Sequence, residues 1–262
     1  MKKVILLALA LVLGGKWALA QDNGENNIKN FRFGLKIAPA LTWYKPDDKK
    51  KFESGGVTAK FGYGLMAEFR LNKVASIGTG LEISYDGGKL NFLDTNYYYL
   101  SKDAAFLEPK DTASTTGFTR YRLSTREYKN TYLTIPLMLK LKTPEIGMLT
   151  YFGQFGVNTS FKLKSRVDDK VLQSNNGQAS QTDIDNTSDM NLVKFALNIG
   201  AGAEWNLAGS TSLVFGINWY NGFSNALRND SKYLFRTRSN DYNPTKQKAS
   251  SNAIALTIGV LF

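Results

Sequence analysis

The last twelve residues of the chain read SNAIALTIGVLF, Ser251 to Phe262. From Ile254 onward every second residue is large and apolar: Ile254, Leu256, Ile258, Val260 and Phe262. Ala255, Thr257, Gly259 and Leu261 stand between them. A period of two puts alternate side chains on opposite faces of a strand. This strand stops on an aromatic with no polar tail. Its final backbone groups therefore need a partner elsewhere in the chain. Pairing with the first strand would close the sheet and remove both edges, and no tail would be needed.

Working back from the C-terminus, the same period recurs. Leu213, Phe215, Ile217 and Trp219 alternate with Ser212, Gly216, Asn218 and Tyr220. Val193 to Trp205 alternates with Lys194, Asn198, Gly200, Gly202 and Glu204. Leu149 to Leu163 alternates with Thr150, Gln154, Asn158 and Lys162. Leu133 to Leu141 alternates with Tyr132, Thr134, Lys140 and Lys142. Ile77 to Tyr85, Val57 to Leu71 and Phe31 to Trp43 complete a set of eight. Each run reaches about ten residues, the length of a tilted strand that crosses a membrane.

The segments between the runs alternate in length. Three are short, at 71–75, 142–148 and 205–211. Four are long and polar, at about 44–56, 86–130, 164–191 and 222–249. Short turns at one end and long loops at the other predict an all-β, eight-stranded antiparallel up-and-down transmembrane β-barrel. Its turns and both termini face the periplasm and its long loops face outward. The apolar parity carries Phe31, Phe69, Tyr151, Trp205 and Phe262 at the turn end, and Trp43, Tyr85, Phe161 and Trp219 at the loop end. Such girdles are expected at the two membrane interfaces. A soluble β-sandwich or lipocalin-like barrel also alternates, but buries its apolar face inside. The loop asymmetry, the girdles and the terminal aromatic favour lipid. Pro136 falls inside the fourth run, where a missing donor predicts a bulge or kink.

Composition agrees. The chain has 262 residues with 13 Tyr, 16 Phe and 23 Gly against 6 Pro, and neither Cys nor His. MKKVILLALALVLGGKWALA, residues 1–20, has the charged start, short apolar run and Ala18-Leu19-Ala20 of a cleaved secretory signal peptide. The barrel domain then spans 21–262, with a mature start at Gln21. With no Cys, neither a lipid anchor nor disulfides are expected. No later run is apolar enough for a membrane helix. The chain carries 33 basic residues; three lysines lie in the leader, leaving 30 against 22 acidic ones.

The stretch NTYLTIPLMLKLK, Asn130 to Lys142, resembles the Tyr-Leu-x-Ile-Pro-Leu-x-Leu-Lys signature of the PorT-like outer-membrane β-barrel family of Bacteroidota. FGLK at Phe33 and GYGLMAEFRL, Gly62 to Leu71, also resemble that family. The resemblance implies an eight-stranded outer membrane protein beta-barrel. One member class of that family serves the type IX secretion system, and most relatives have no assigned role. The terminal strand similarly resembles the targeting signal read by the barrel-assembly machinery, with Phe262 as the assembly signal.

If the apolar face meets lipid, the other parity fills the lumen. It includes Arg32, Lys36, Lys60, Gln154, Asn158, Lys162, Asn198, Asn218 and Tyr220. A lumen charge network is expected among Glu68, Arg70, Glu82, Lys140, Lys142, Lys194 and Glu204. Unpaired buried charge is costly, so each Glu should find a Lys or Arg. A barrel of eight strands is filled by its own side chains rather than open; surplus cations could alternatively hold an anion. Without His or Cys, the usual nucleophile–base pairs and soft metal sites cannot be assembled. No catalytic residues, metal site or cofactor are expected. Asp183, Asp185 and Asp189 could offer oxygens to Ca²⁺, but their spacing matches no EF-hand, and a solvated polar loop is the simpler reading.

The long loops are the expected working surface. The second holds Tyr97-Tyr98-Tyr99 and Phe106; the fourth holds Arg228, Lys232, Arg236, Arg238, Lys246 and Lys248. The expected counter-charge for that basic set is an anionic lipid head group such as lipopolysaccharide phosphate. No nucleic-acid motif is present. Two functions follow: a non-enzymatic component or accessory of a protein-secretion assembly, or a structural or adhesive barrel that binds ligands through its loops. A small-solute porin is a weaker third.

Overall fold

The computed structural model describes residues 30–93, 98–99, 121–173, 178–208, 211–238 and 241–262. The leader and Gln21 lie outside the described residues. Among the described residues there are thirteen strands: β1 Phe31–Pro46, β2 Phe52–Ser54, β3 Thr58–Arg70, β4 Ala75–Phe92, β5 Tyr98–Tyr99, β6 Tyr121–Lys142, β7 Leu149–Gln173, β8 Gln178–Asp185, β9 Val193–Ala208, β10 Thr211–Gly222, β11 Asp230–Arg238, β12 Asp241–Lys246 and β13 Ala249–Leu261. Eight of them close a ring in the order β1-β3-β4-β6-β7-β9-β10-β13, every neighbour antiparallel. The last strand meets the first from Gly34↔Leu261 to Pro46↔Ala249. Phe262 donates its backbone N–H to the Phe33 carbonyl at 2.8 Å. Gly34 permits this approach, because a Cβ there would lie 1.9 Å from the Val260 carbonyl oxygen.

Local chemistry sets the turns. Val74 and Ala75 donate backbone N–H groups to Asn72 Oδ1 at 2.8 and 2.7 Å, fixing the β3–β4 turn. Gly147, at φ +66°, supplies the left-handed residue of the β6–β7 turn.

Three ring strands run well past the expected limits. β4 has 18 residues, β6 has 22 and β7 has 25. Parts of 86–130 and 164–191, read from sequence as loop, are therefore strand. A membrane crossing takes only about 9–11 residues. The excess stands above the barrel at the loop end, where it is flanked by β2, β5, β8, β11 and β12. Water can satisfy an edge there, so polar sequence extends the ladder without strict alternation.

Pro136 interrupts one ladder without the bulge expected there. Pro136 stays in register with Asn158 of β7. Its missing donor faces β4, where pairing skips from Thr79↔Leu137 to Glu82↔Thr134. Thr79 Oγ1 donates to the Pro136 carbonyl at 2.8 Å and bridges the gap. The register shift comes five residues earlier in sequence, where Thr131 pairs Lys164 but Tyr132 pairs Lys162. Leu163 is the extra residue. Beyond it the parity of β7 inverts, and Ser165, Val167, Asp169 and Val171 turn inward.

That inversion builds a second core. Tyr44, Phe52, Leu90, Leu123, Tyr128, Val167, Leu227 and Leu234 belong to one buried cluster drawn from all four long connections and the strand ends beside them. It roofs the loop end of the ring and forms a head.

Candidate functional site in the closed lumen

The lumen is organised in three levels. At the turn end, Arg32 of β1, Glu68 of β3, Lys140 and Lys142 of β6 and Glu204 of β9 meet in one cluster. Arg32 lies 3.1 Å from Glu68 and 2.6 Å from Glu204. Lys140 reaches Glu68 at 3.2 Å and also contacts Glu204. Lys142 reaches Glu204 at 2.8 Å and also contacts Glu68. Three cations surround two carboxylates, and all five side chains are at most 10% exposed. The strands bring them level: Arg32 and Glu68 are direct cross-strand partners. Lys140 also sits 4.0 Å above the Phe152 ring. Multiple shared contacts offset the desolvation of these charges.

The middle level holds two further pairs. Lys36 meets Glu82 at 2.6 Å. Lys194 contacts Asp86, which also accepts from Ser251 Oγ at 2.7 Å. The Lys194 ammonium lies 4.4 Å over the Tyr132 ring. Gln154 donates to Asn218, which donates to Thr257, at 2.6 and 2.9 Å. Small cavities of about 60 and 80 Å³ lie among these residues.

The predicted network is thus divided. Glu68, Lys140, Lys142 and Glu204 converge, whereas Glu82 and Lys194 belong to separate pairs. Arg70 does not join: it shares the lumenal parity but is half-buried, and makes no ion pair with another described residue. It lies one step nearer the rim than Glu68 on the same face of β3. Arg32 takes the place that Arg70 was expected to fill. Asp86 was missed because it sits where the alternation fades, inside the stretch read as loop.

At the loop end the head is held by polar pairs as well as apolar packing. Arg126 of β6 grips Asp169 of β7 with two bonds, Nε to Oδ1 at 2.7 Å and Nη2 to Oδ2 at 2.6 Å. Both side chains are fully buried. Burial acts to lower the Arg126 pKa, but the Asp169 carboxylate outweighs it and holds the guanidinium above its ordinary value. Asn130 donates to the Tyr44 hydroxyl at 2.7 Å and accepts from Ser165 at 2.6 Å. Lys162 closes the seam by donating to the Met190 carbonyl at 2.7 Å.

The acidic stretch is not the solvated loop expected from sequence. Asp189 is fully buried and takes a bond from Ser231. Asp185 accepts the Thr187 N–H at 2.9 Å. Asp183 stands exposed at φ +57°. Each carboxylate is engaged separately. In the fourth connection, Arg228, Lys246 and Lys248 are exposed. The side chains of Lys232, Arg236 and Arg238 lie outside the described residues, as do Tyr97, Phe106 and the side chains of Tyr98 and Tyr99.

All nine aromatics of the expected girdles lie on the outer surface of the wall. Phe31, Phe69, Tyr151, Phe161, Trp205, Trp219 and Phe262 are exposed there; Trp43 and Tyr85 are half-buried. Phe31 packs on Phe69 at 4.9 Å and Phe33 on Phe262 at 5.8 Å. Between the girdles the outer face is aliphatic, with Leu35, Ile37, Leu65, Leu137 and Ile217 each more than half exposed.

A family model described as outer membrane protein beta-barrel domain matches residues 19–228. No curated protein matches the chain. Similar solved structures include the outer membrane protein OprG from Pseudomonas aeruginosa, 12% identical over 87% of this chain and 96% of that one, with a TM-score of 0.42. Neisserial surface protein A is 9% identical over 88% and 96%, with a TM-score of 0.38. The attachment invasion locus protein Ail of Yersinia pestis is 12% identical over 88% and 98%, with a TM-score of 0.31.

Proposed function

The chain belongs to the outer membrane protein beta-barrel domain family, and on that footing we propose that it is a non-enzymatic, non-conducting barrel of the bacterial outer membrane that serves as an accessory of a protein-secretion assembly. The observation that carries this is double closure. The buried Arg32–Glu68–Lys140–Lys142–Glu204 cluster fills the turn end, and the apolar core fills the loop end. A lumen stoppered twice offers solute no continuous path among the described residues, so the work falls to its surfaces. The resemblance of Asn130 to Lys142 to the PorT-like signature supports a secretion role of the type IX kind.

In this reading the signal peptide at 1–20 exports the chain and Phe262 presents the signal taken by the barrel-assembly machinery. The two girdles anchor the wall at the interfaces, with both termini in the periplasm. Exposed Arg228, Lys246 and Lys248 face lipopolysaccharide phosphates. A clean deletion should block export of specific cargo and leave the membrane otherwise intact. Normal export in the deletion strain contradicts the secretion role. Planar-bilayer recordings of the purified chain should be silent; steady conductance contradicts closure.

The head favours a second reading, a surface barrel that binds ligands through its loops. All four long connections share one core, which makes a rigid platform rather than four independent loops. Replacing Arg228, Lys246 and Lys248 by alanine should then weaken binding to lipopolysaccharide vesicles while the barrel still inserts. Unchanged binding counts against this reading.

A further inference from the structure

Among the described residues, the wall opens between the loop-end parts of β3 and β4. The β3–β4 register runs from Arg70↔Ser76 to Gly62↔Ser84 and stops there. On one side, β1 and β3 remain paired out to Thr42↔Thr58. On the other, β4 and β6 remain paired out to Asn91↔Thr125. β4 rejoins the wall higher up by a different route. Gly88 comes so close to β1 that a Cβ on it would lie 2.8 Å from Tyr44 N. Gly55 donates to the Lys89 carbonyl at 2.8 Å, and β2 takes over the pairing at Ser54↔Leu90. Segments 57–61 and 85–87 therefore face each other without registered pairs.

The gap is covered by side chains rather than by ladder bonds. Phe61 and Tyr85, at directly opposed positions, pack with ring centroids 4.7 Å apart. The Lys60 stem crosses Gly87, where a Cβ would sit 3.4 Å from Lys60 Cε. Asp86 Oδ1 accepts the Gly87 N–H at 2.7 Å, so that donor is satisfied within β4 itself. In lipid, missing ladder bonds are costly unless something else satisfies or shields the groups. The gap also lies at the outer girdle, where Tyr85 sits.

Behind it is the cavity of about 60 Å³, which reaches from the lumen to both Phe61 and Tyr85. Ala38, Ala40, Ala196, Ala253 and Ala255 give it a smooth apolar lining. Its charged groups are already paired, Glu82 with Lys36 and Asp86 with Lys194. Asn252 also lines it, is only 5% exposed, and has a side-chain Nδ2 with no hydrogen-bond partner. A buried donor without an acceptor is a costly arrangement that a bound oxygen would relieve. The head roofs this cavity and the ion cluster floors the lumen below it, so the wall is the remaining approach.

We propose that the gap between β3 and β4 is a lateral gate, and that the chamber behind it binds the head of a slender neutral amphiphile drawn from the outer leaflet. The head carries a hydroxyl or ester oxygen for Asn252, and the tail remains in the lipid beside Phe61 and Tyr85. Paired charges in the chamber disfavour an ionic head. A volume of about 60 Å³ takes a small head and its first carbons but excludes a phospholipid headgroup.

The test uses the full mature chain in dimyristoylphosphatidylcholine vesicles. The probe is 1-dodecanol carrying a photoreactive diazirine near the hydroxyl, with labelled residues located by mass spectrometry. Label is expected on lumen-facing residues of β9 and β13, displaced by unlabelled dodecanol and not by dodecane. Because the chain has no Cys, Phe61→Cys with Tyr85→Cys gives a clean reversible lock. Oxidation should block the approach and remove most lumenal labelling while outer-face labelling stays intact; reduction should restore it. Ala253→Leu, checked for folding by its gel shift, should lower lumenal labelling without any cross-link. Label confined to the outer face, or equal lumenal labelling in the oxidised and reduced forms, overturns the proposal.

Discussion

The wall and the head use the same strands with opposite chemistry. In the lower part of β6, Leu137 faces outward and is 63% exposed, while Lys140 and Lys142 are buried inside. In the upper part of the same strand, the Lys129 side chain faces outward at 47% exposure while Tyr128 and Leu123 are buried inside. The inversion follows the medium. Lipid surrounds the wall, so apolar groups go out and polar groups must satisfy one another within. Water surrounds the head, so the ordinary globular rule returns. The register shift at Thr131/Tyr132 falls where one regime gives way to the other.

Breaking the head alone should give the largest effect. Asp169→Ala leaves Arg126 as a buried uncompensated cation, which costs about 3–5 kcal/mol. Hydrogen-exchange protection should collapse across 121–130 and 165–173 while the barrel keeps its heat-dependent gel shift. Joint loss of both would mean that head and wall are one cooperative unit. Next, Leu137→Arg puts a charge into the lipid-facing band and should cost about 2–4 kcal/mol in urea unfolding from vesicles. A neutral result would place that face outside the hydrocarbon. Glu204→Gln removes one of two carboxylates from among three cations. Glu68 remains to share them, so the same assay should register about 1–3 kcal/mol.

Acid should loosen the head before the wall. Burial opposes ionisation of Asp168, yet bonds from Lys129 and from the Asp183 N–H outweigh it and hold its pKa below the ordinary value. The Thr187 N–H does the same for Asp185, against partial burial. Depressed carboxylates stabilise the fold above their unfolded pKa of about 4, and that contribution is lost as pH falls through the lower folded values. Limited proteolysis at pH 5 and pH 3 should therefore show head cleavage at the lower pH only. The smallest effect belongs to Lys170→Leu, exposed on the outer side of β7 in the head, which should change stability by no more than about 0.5 kcal/mol. A destabilisation as large as that of Leu137→Arg would erase the distinction between the two regions.

The sequence reveals the wall because lipid enforces alternation without exception. Ile254 to Phe262 and Leu133 to Leu141 can each face only one way. Glu68, Lys140, Lys142 and Glu204 are legible for the same reason, since the lumenal parity brings polar groups together. The head is not legible. Leu123, Val167 and Val171 turn inward only after irregular steps in register, and one extra residue reverses every face beyond it. Asp86 and Asp169 lie in stretches where period two has faded, so nothing local marks them as buried partners. Arg70 misled because parity gives the face of a residue but not its depth along the lumen.

The central claim is that the outer face of the ring meets lipid and the ring is closed. Heat-modifiability of the native protein in purified outer membrane tests it most directly. Unboiled protein should remain membrane-bound and migrate faster on a gel than boiled protein, because the closed ladder resists detergent. Identical migration, with the protein recovered in the soluble fraction, would contradict both closure and the lipid-facing wall.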